Sequence, residues 1–283
     1  MIKFPKGFLM KKYNFFGLLL LLAGLAGCED VVDVKLDEGQ TLLAVDGWIT
    51  DQPGPYTIRL TTTATYFNNA ATPRAQGATV TVTDSEGGRE VLQEVEPGNY
   101  QVRTLRGKVG NAYTLDIKWN GQEYTAQTEI KRVPLIDSLG VRFRKGGGFV
   151  EEGYYVYYFG PEPAGPGDNY RFKQYRNDTL LNEPQDLSFT DDQLVDGNYI
   201  TNFQVNFDPY ALGDTIRMET WSITRDAFLF YSELQQQIFN GGLFANPPAN
   251  VRTNVFNKNP SGPPAVGWFG GAGVSSKEVI IKE

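Results

Sequence analysis

Residues 112–129 carry the tightest fold constraint in the chain. Two eight-residue runs, 112–119 and 122–129, are joined by Asn120-Gly121. In the first run Tyr113, Leu115 and Ile117 fall on alternate positions, which places them on one face of a strand. Asn-Gly admits positive φ at both central positions of a two-residue loop, so the pair predicts a hairpin. The same alternating, β-branched pattern starts at Leu42 and predicts strands over 42–50, 56–62, 78–84, 89–94 and 99–104. Asp51-Gln-Pro-Gly-Pro, Ser85-Glu-Gly-Gly and Pro97-Gly-Asn punctuate them as turns. Seven short strands at this spacing predict an immunoglobulin-like β-sandwich over residues 41–133.

Lys131 to Asp137 reads as a crossover, because Pro134 interrupts any continuing strand. Residues 134–283 then predict a second β-rich domain with one helix. Strands are expected at 141–144 and 154–159, joined by a loop at Gly146-Gly-Gly, and at 170–177, 199–207 and 215–224. The 170–177 strand is expected to pair with the one before it across 161–168. Near 225–240 the period changes: Ala227, Tyr231, Leu234 and Ile238 recur every three or four residues, a helical stripe. Thr224 is placed to cap its first turn and Gly241 to end it in a left-handed conformation. Asn246-Pro-Pro-Ala-Asn and Ser261-Gly-Pro-Pro follow as irregular loops, and Trp268-Phe269 and 278–281 offer closing strands. The class predicted is mostly β.

Location is written at the start of the chain. Lys3, Lys6, Lys11 and Lys12 form a basic region with no acid before Glu29, and Met10-Lys11-Lys12 is by itself a compact basic start. Phe15 to Ala26 is an apolar run of 12 residues, broken only by Gly17 and Gly24. A spanning helix needs about 20 apolar residues, so this run has the length of a signal-peptide core. It ends at Leu25-Ala26-Gly27-Cys28, the pattern of a bacterial lipoprotein signal. That predicts a signal peptide over 1–27, cleavage between Gly27 and Cys28, and a diacylglycerol-type acyl lipid on Cys28. Each buried CH₂ contributes ~0.8 kcal/mol, and two or three chains anchor stably. Cys28 is the single cysteine, so an internal disulfide is excluded. Residues 28–40, with Asp30, Asp33, Asp37 and Glu38, read as an acidic tether, although Val31, Val32 and Val34 also suit an edge strand. Acidic residues directly after such a cysteine resemble the surface-export signals of Bacteroidota-type lipoproteins.

Charge narrows the partners. Removing 1–27 takes four lysines and no acid, moving the formal charge from −7 to −11. An acidic chain without a basic run excludes nucleic acid as the expected partner. With no histidine at all, the commonest general base and metal ligand is missing. No Gly-x-Ser-x-Gly elbow is present. Ser276 beside Lys277 makes a poor dyad, since adjacent strand residues point to opposite faces.

Other candidates read as structure. Tyr154, Tyr155, Tyr157, Tyr158 and Phe159 suggest a stacking platform, but one face of that strand must be core, and core packing is the better reading. Gly146-Gly-Gly lacks the following lysine and helix of a phosphate loop. Asp191, Asp192 and Asp196-Gly197 suggest calcium, yet their spacing does not fit an EF-hand, and they read as solvated loop acids. No catalytic residue and no metal site is assigned. The candidates for partner binding are in the late loops: Asn246, Pro247, Pro248, Asn250, Trp268 and Phe269; the better reading of the two is that these loops cover an open edge or end of the second domain. Irregular loops on a β scaffold often contact partners.

Two resemblances add to this. Gly77-Ala-Thr-Val-Thr-Val, Gly98-Asn-Tyr and Tyr113-Thr-Leu-Asp-Ile resemble the transthyretin-like and carboxypeptidase-regulatory-like modules of secreted bacterial proteins. Over the whole mature chain, Cys28-Glu-Asp-Val-Val-Asp-Val, Val45-Asp-Gly-Trp-Ile-Thr-Asp, Gly213-Asp-Thr-Ile, Asn246-Pro-Pro-Ala-Asn-Val-Arg-Thr-Asn, Gly267-Trp-Phe-Gly and Ser275-Ser-Lys-Glu resemble the lipoproteins catalogued as domain of unknown function 4249. That resemblance implies an outer-membrane lipoprotein of Bacteroidota, encoded beside TonB-dependent transporters, with no activity to carry over. The expected function is a non-enzymatic accessory or binding component of a TonB-dependent uptake system, anchored to the outer membrane and meeting a transporter. The alternatives are a structural or adhesive envelope protein and, more remotely, a glycan-active enzyme working through a carboxylate pair.

Overall fold

The structure is a computed structural model and describes residues 40–64, 70–148, 150–241, 247 and 249–283. The leader, Gly27, Cys28 and the tether through residue 39 lie outside them. Eight strands come first: β1 (Leu43–Thr50), β2 (Tyr56–Thr62), β3 (Thr79–Asp84), β4 (Arg89–Val91), β5 (Gln93–Glu96), β6 (Asn99–Val102), β7 (Ala112–Trp119) and β8 (Gln122–Glu129). Asn120 (φ 48°) and Gly121 (φ 72°) both take the left-handed region and fold β8 back onto β7, as the dipeptide predicts. β1, β2, β6 and β5 lie side by side in one sheet, and β8, β7, β3 and β4 in a second. Alternate residues of both turn inward. Leu43, Val45, Ile49, Ile58 and Leu60 of the first sheet share one core with Val80, Val82, Leu115, Ile117 and Tyr124 of the second. Each such side chain contributes about 1.5–3 kcal/mol when fully buried, so this core is the main cohesive element.

One expected strand is two. Residues 89–94 split at Leu92, with β4 in the second sheet and β5 in the first. Leu92 is buried in the shared core while Val91 is exposed. The inward step at Leu92 carries the chain across the core, the way strands turn corners between packed sheets.

The next strands are β9 (Ser138–Arg144), β10 (Gly153–Pro161), β11 (Asn169–Arg176), β12 (Thr179–Leu180), β13 (Ser188–Asp191), β14 (Tyr199–Gln204) and β15 (Thr215–Ser222). β9 and β10 form the expected hairpin across the glycine loop, and β14 adds to β10 as a third sheet. The expected pairing of β11 with β10 does not occur. β11 lies in a fourth sheet between β12 or β13 on one side and β15 on the other. Prolines at 161, 163 and 166 cannot extend a ladder. Arg132 and Asp192 hold that loop instead: the guanidinium donates to the carbonyls of Pro163, Ala164 and Gly165, and the carboxylate accepts from Gly167 and Asp168 N–H.

The helix, α1 (Arg225–Ile238), begins where its period predicts. Thr224 Oγ1 accepts from Ala227 N at 3.2 Å, the expected cap. Its end differs from expectation: Phe239 is the C-terminal cap at φ −93°, and Gly241 is not left-handed. Ala227 and Tyr231 are buried and Leu234 packs beside them, whereas Ile238 is 41% exposed. Among the described residues no helix is long and apolar enough to cross a membrane.

The chain ends with β16 (Val255–Asn257), β17 (Ala265–Ala272) and β18 (Val274–Ile280). β16 extends the second sheet from β8, and β17 lies parallel to β1 at the edge of the first. After Gly273 the same run becomes β18 and edges the fourth sheet against β15. A boundary at 133/134 therefore does not contain the first core, since β16 and β17 come from beyond it. Gln40 to Glu283 forms one compact unit. The seam at Gly273 is hydrogen-bonded throughout. Ser222 Oγ donates to Lys131 O at 2.7 Å and accepts from Gly273 N at 2.9 Å. Asp51 Oδ1 takes Val274 N at 2.8 Å, and Ser275 Oγ takes Ile136 N at 3.0 Å.

Candidate functional site

The expected partner-binding residues do not form one surface. Phe269 is fully buried in the core of the first two sheets. Trp268, on the opposite face of β17, is 5% exposed and packs with α1, its ring stacked on Phe230 at 5.0 Å. Neither offers a docking face; in a strand with both sides covered, both alternating faces are interior. Pro247 and Asn250 are exposed, while Asn246 and Pro248 lie outside the described residues, as does Cys28. The loop beyond is tied down: Arg252 pairs with Glu233 of α1 at 2.7 Å, and Asn254 bonds both the N–H and the carbonyl of Phe269. Tyr155, Tyr157 and Tyr158 are buried, so the cluster forms no exposed stacking platform.

A different set of residues converges. In β11 and β15, Tyr170, Phe172, Ile216, Met218 and Thr220 face inward. The alternate positions Arg171, Lys173, Tyr175, Arg217, Glu219 and Trp221 therefore share the other face. The register sets Arg171 opposite Trp221, Lys173 opposite Glu219, and Tyr175 opposite Arg217. Cations and rings interleave: Lys173 Nζ lies 3.3 Å from the Trp221 ring centre and Arg217 lies 3.6 Å over Tyr175. Glu219 accepts from Trp221 Nε1 at 2.9 Å and pairs with Arg217.

The opposite wall is the outward face of β1 and β2, carrying Asp46, Trp48, Thr57 and Arg59. Trp48 meets Trp221 edge-on at 5.8 Å and stacks on Tyr231 of α1 at 6.1 Å. Gly270 of β17 makes room for it, since a Cβ there would lie 2.3 Å from the Trp48 ring. Between the walls is a cleft of about 410 Å³, also lined by Gln52, Tyr56 and Tyr175.

Lys173 is the unusual group in it. Among the described residues no hydrogen-bond or ion-pair partner meets its amine. Burial lowers its pKa to about 7, the Arg171 charge adds to the shift, and Glu219 and Asp46 oppose it. The amine is thus neutral in part at neutral pH, able both to donate and to accept. An aromatic lining with Asp46, Gln52, Arg59, Lys173 and Glu219 around it suits a ring-bearing polar ligand: its ring packs against aromatic edges and rim groups bond its substituents. A lysine of this pKa is also a nucleophile.

A larger depression of about 690 Å³ is lined by Lys131, Arg132, Arg225 and Trp268. Its cations are already matched, with Glu129, Asp168 and Asp191 respectively. Glu162, Asp168 and Asp192 bring one carboxylate oxygen each within 4.8 Å of one another. Asp192 was expected to be a solvated loop acid; it is 1% exposed, because its carboxylate is consumed in capping two backbone N–H groups.

The cleft was not foreseen from sequence. Its local signal is the alternation Arg171-Phe-Lys-Gln-Tyr within a predicted strand, but which residues oppose it depends on pairing. The chain matches no curated protein. The model of the family described as Domain of unknown function (DUF4249) matches residues 29–278, most of the chain, and the protein belongs to that family.

Proposed function

We propose that this protein is a lipid-anchored, non-enzymatic binding component of a TonB-dependent uptake system at the outer membrane, and that the cleft between the β1–β2 face and the β11–β15 face holds the ligand. The observation that carries the binding role is that cleft: a lining that includes Trp48 and Trp221, a Lys173 with no hydrogen-bond partner among the described residues, and a rim of Asp46, Gln52, Arg59 and Glu219. The location is supported by Leu25-Ala26-Gly27-Cys28 after a short apolar run. The ligand class the lining favours is a saccharide or similar ring-bearing polar solute. In this reading the first two sheets are an immunoglobulin-like sandwich that holds β1 and β2 rigid as one wall.

The test is affinity purification of the tagged full-length protein from gently solubilised outer membranes, beside Cys28→Ala and Trp48→Ala. The expected result is a co-purifying transporter that is lost with Cys28→Ala and kept with Trp48→Ala. A glycan array should then bind the wild type and not Trp48→Ala. Recovery of the protein alone, with binding to envelope polymer, would replace this reading with a structural or adhesive one. Turnover of a bound glycan would replace it with an enzyme.

A further inference from the structure

A second cavity, of about 240 Å³, lies between the third and fourth sheets, on the face of β11 and β15 opposite the cleft. Its walls are Tyr158 of β10, Tyr170 and Phe172 of β11, and Ile200 and Phe203 of β14. Leu194, also lining it, is 95% exposed and Phe203 is 38% exposed, so the cavity opens to solvent through an apolar mouth. Two buried polar atoms on this wall lack partners: Glu162 Oε2 and Thr220 Oγ1. Glu162 is 4% exposed, and its other oxygen accepts from the Tyr170 hydroxyl at 2.6 Å. A carboxylate oxygen sealed from water with nothing to accept from is costly.

The surrounding charge sharpens the deficit. Glu162, Asp168 and Asp192 stand together, with Asp191 on the same cavity wall as Glu162, and among the described residues two guanidiniums pair with them, Arg132 with Asp168 and Arg225 with Asp191. Glu162 and Asp192 have no ion-pair partner among the described residues. Asp192 is already engaged by two backbone N–H groups, which leaves Glu162 as the acid short of a donor. Burial first, then the charges of Asp168 and Asp192, raise its pKa, opposed by the Tyr170 hydrogen bond and the Arg132 charge.

We propose that this cavity binds a small primary amine with an aryl or short alkyl body, whose ammonium donates to Glu162 and Thr220 while its apolar part packs among Tyr158, Phe172, Ile200 and Phe203. The last torsion of a glutamate is soft, so Oε2 can swing toward a donor entering the cavity. An anionic amphiphile of the same size meets the wrong charge, and a neutral one leaves the deficit in place. The site is separate from the Trp48–Trp221 cleft and does not depend on the uptake role.

The experiment is isothermal titration calorimetry of the full-length protein in non-ionic detergent with 2-phenylethylamine. One saturable site is expected, weakened at least tenfold by Glu162→Gln and measurably by Thr220→Val, and unchanged by Trp48→Ala. The neutral isostere 2-phenylethanol should bind at least tenfold more weakly. Thermal unfolding of each variant checks the fold, and Phe203→Ala at the mouth replaces Glu162→Gln if that variant is unstable. Absence of saturation, equal binding of amine and alcohol, or wild-type affinity in Glu162→Gln each overturn the proposal. So does saturable calcium binding that displaces the amine, which would make the three acids a metal site instead.

Discussion

At Lys173 the cost of burying a charge becomes a measurable property. An unfolded lysine keeps its proton to about 10.5, whereas in the cleft it releases it near 7. Between those values the unfolded chain binds more protons, so stability rises with pH across that window and is lower beneath it. Urea unfolding of wild type against Lys173→Met at pH 7, 8 and 9 should show wild type gaining about 1–2 kcal/mol relative to the variant. One pH unit is worth at most ~1.4 kcal/mol, and partial solvent screening reduces it. A constant difference across that range would mean the amine titrates normally. Gly267 gives a sharper test of backbone: its φ is +92° and a Cβ would lie 2.0 Å from Val45 O. Gly267→Ala should cost about 3 kcal/mol or more, from strain and a displaced strand together, read as a fall in unfolding midpoint. An unchanged midpoint would mean that β17 sits farther from β1.

Elements divide by how local their causes are. α1 was legible because its stripe and its Thr224 cap lie within a few residues of one another. Thr224→Ala should lower stability by about 1 kcal/mol, measured as a lower thermal midpoint, with far-ultraviolet dichroism at 25 °C unchanged. Loss of the helical signal at 25 °C would mean the cap is needed for α1 to form, rather than for its last increment of stability. The β7–β8 hairpin was legible for the same reason, through Asn120-Gly121. β11 was legible as a strand but not in its partners. Nothing within 169–176 says that Lys173 will face Glu219, because that register depends on β15, some 40 residues away. The cleft residues Trp48, Lys173 and Trp221 come from β1, β11 and β15, so no spacing motif unites them. The late loop misled differently: Trp268-Phe269 reads as an aromatic docking pair, yet β17 is covered on both faces, by the shared core and by α1.

For the whole molecule the decisive feature is the C-terminal run. β17 edges the first sheet and β18 the fourth, so one segment closes both. Deleting residues 265–283 should abolish the cooperative unfolding transition and open strands in both sheets to limited proteolysis, monitored by mass spectrometry. A truncated protein that keeps a sharp transition would show that the two halves stand without their shared edge. The cleft would be lost with it, since Gly270 supports Trp48 and Val274 lines the wall.

By itself, then, the order of residues determined what acts over short range: alternation made strands, a 3.6-residue stripe made α1, Asn-Gly made a hairpin, and a short apolar run before Leu-Ala-Gly-Cys predicted an exported, lipid-bearing chain. Only the tertiary structure decided which strands share a sheet, that β17 and β18 complete sheets begun earlier in the chain, and that Lys173 lies over the Trp221 ring in a cleft that Trp48 also lines. The reason is physical. Local periodicity is set by backbone geometry over a few residues, whereas strand order and register follow from burying all apolar faces at once, a condition that no single segment contains.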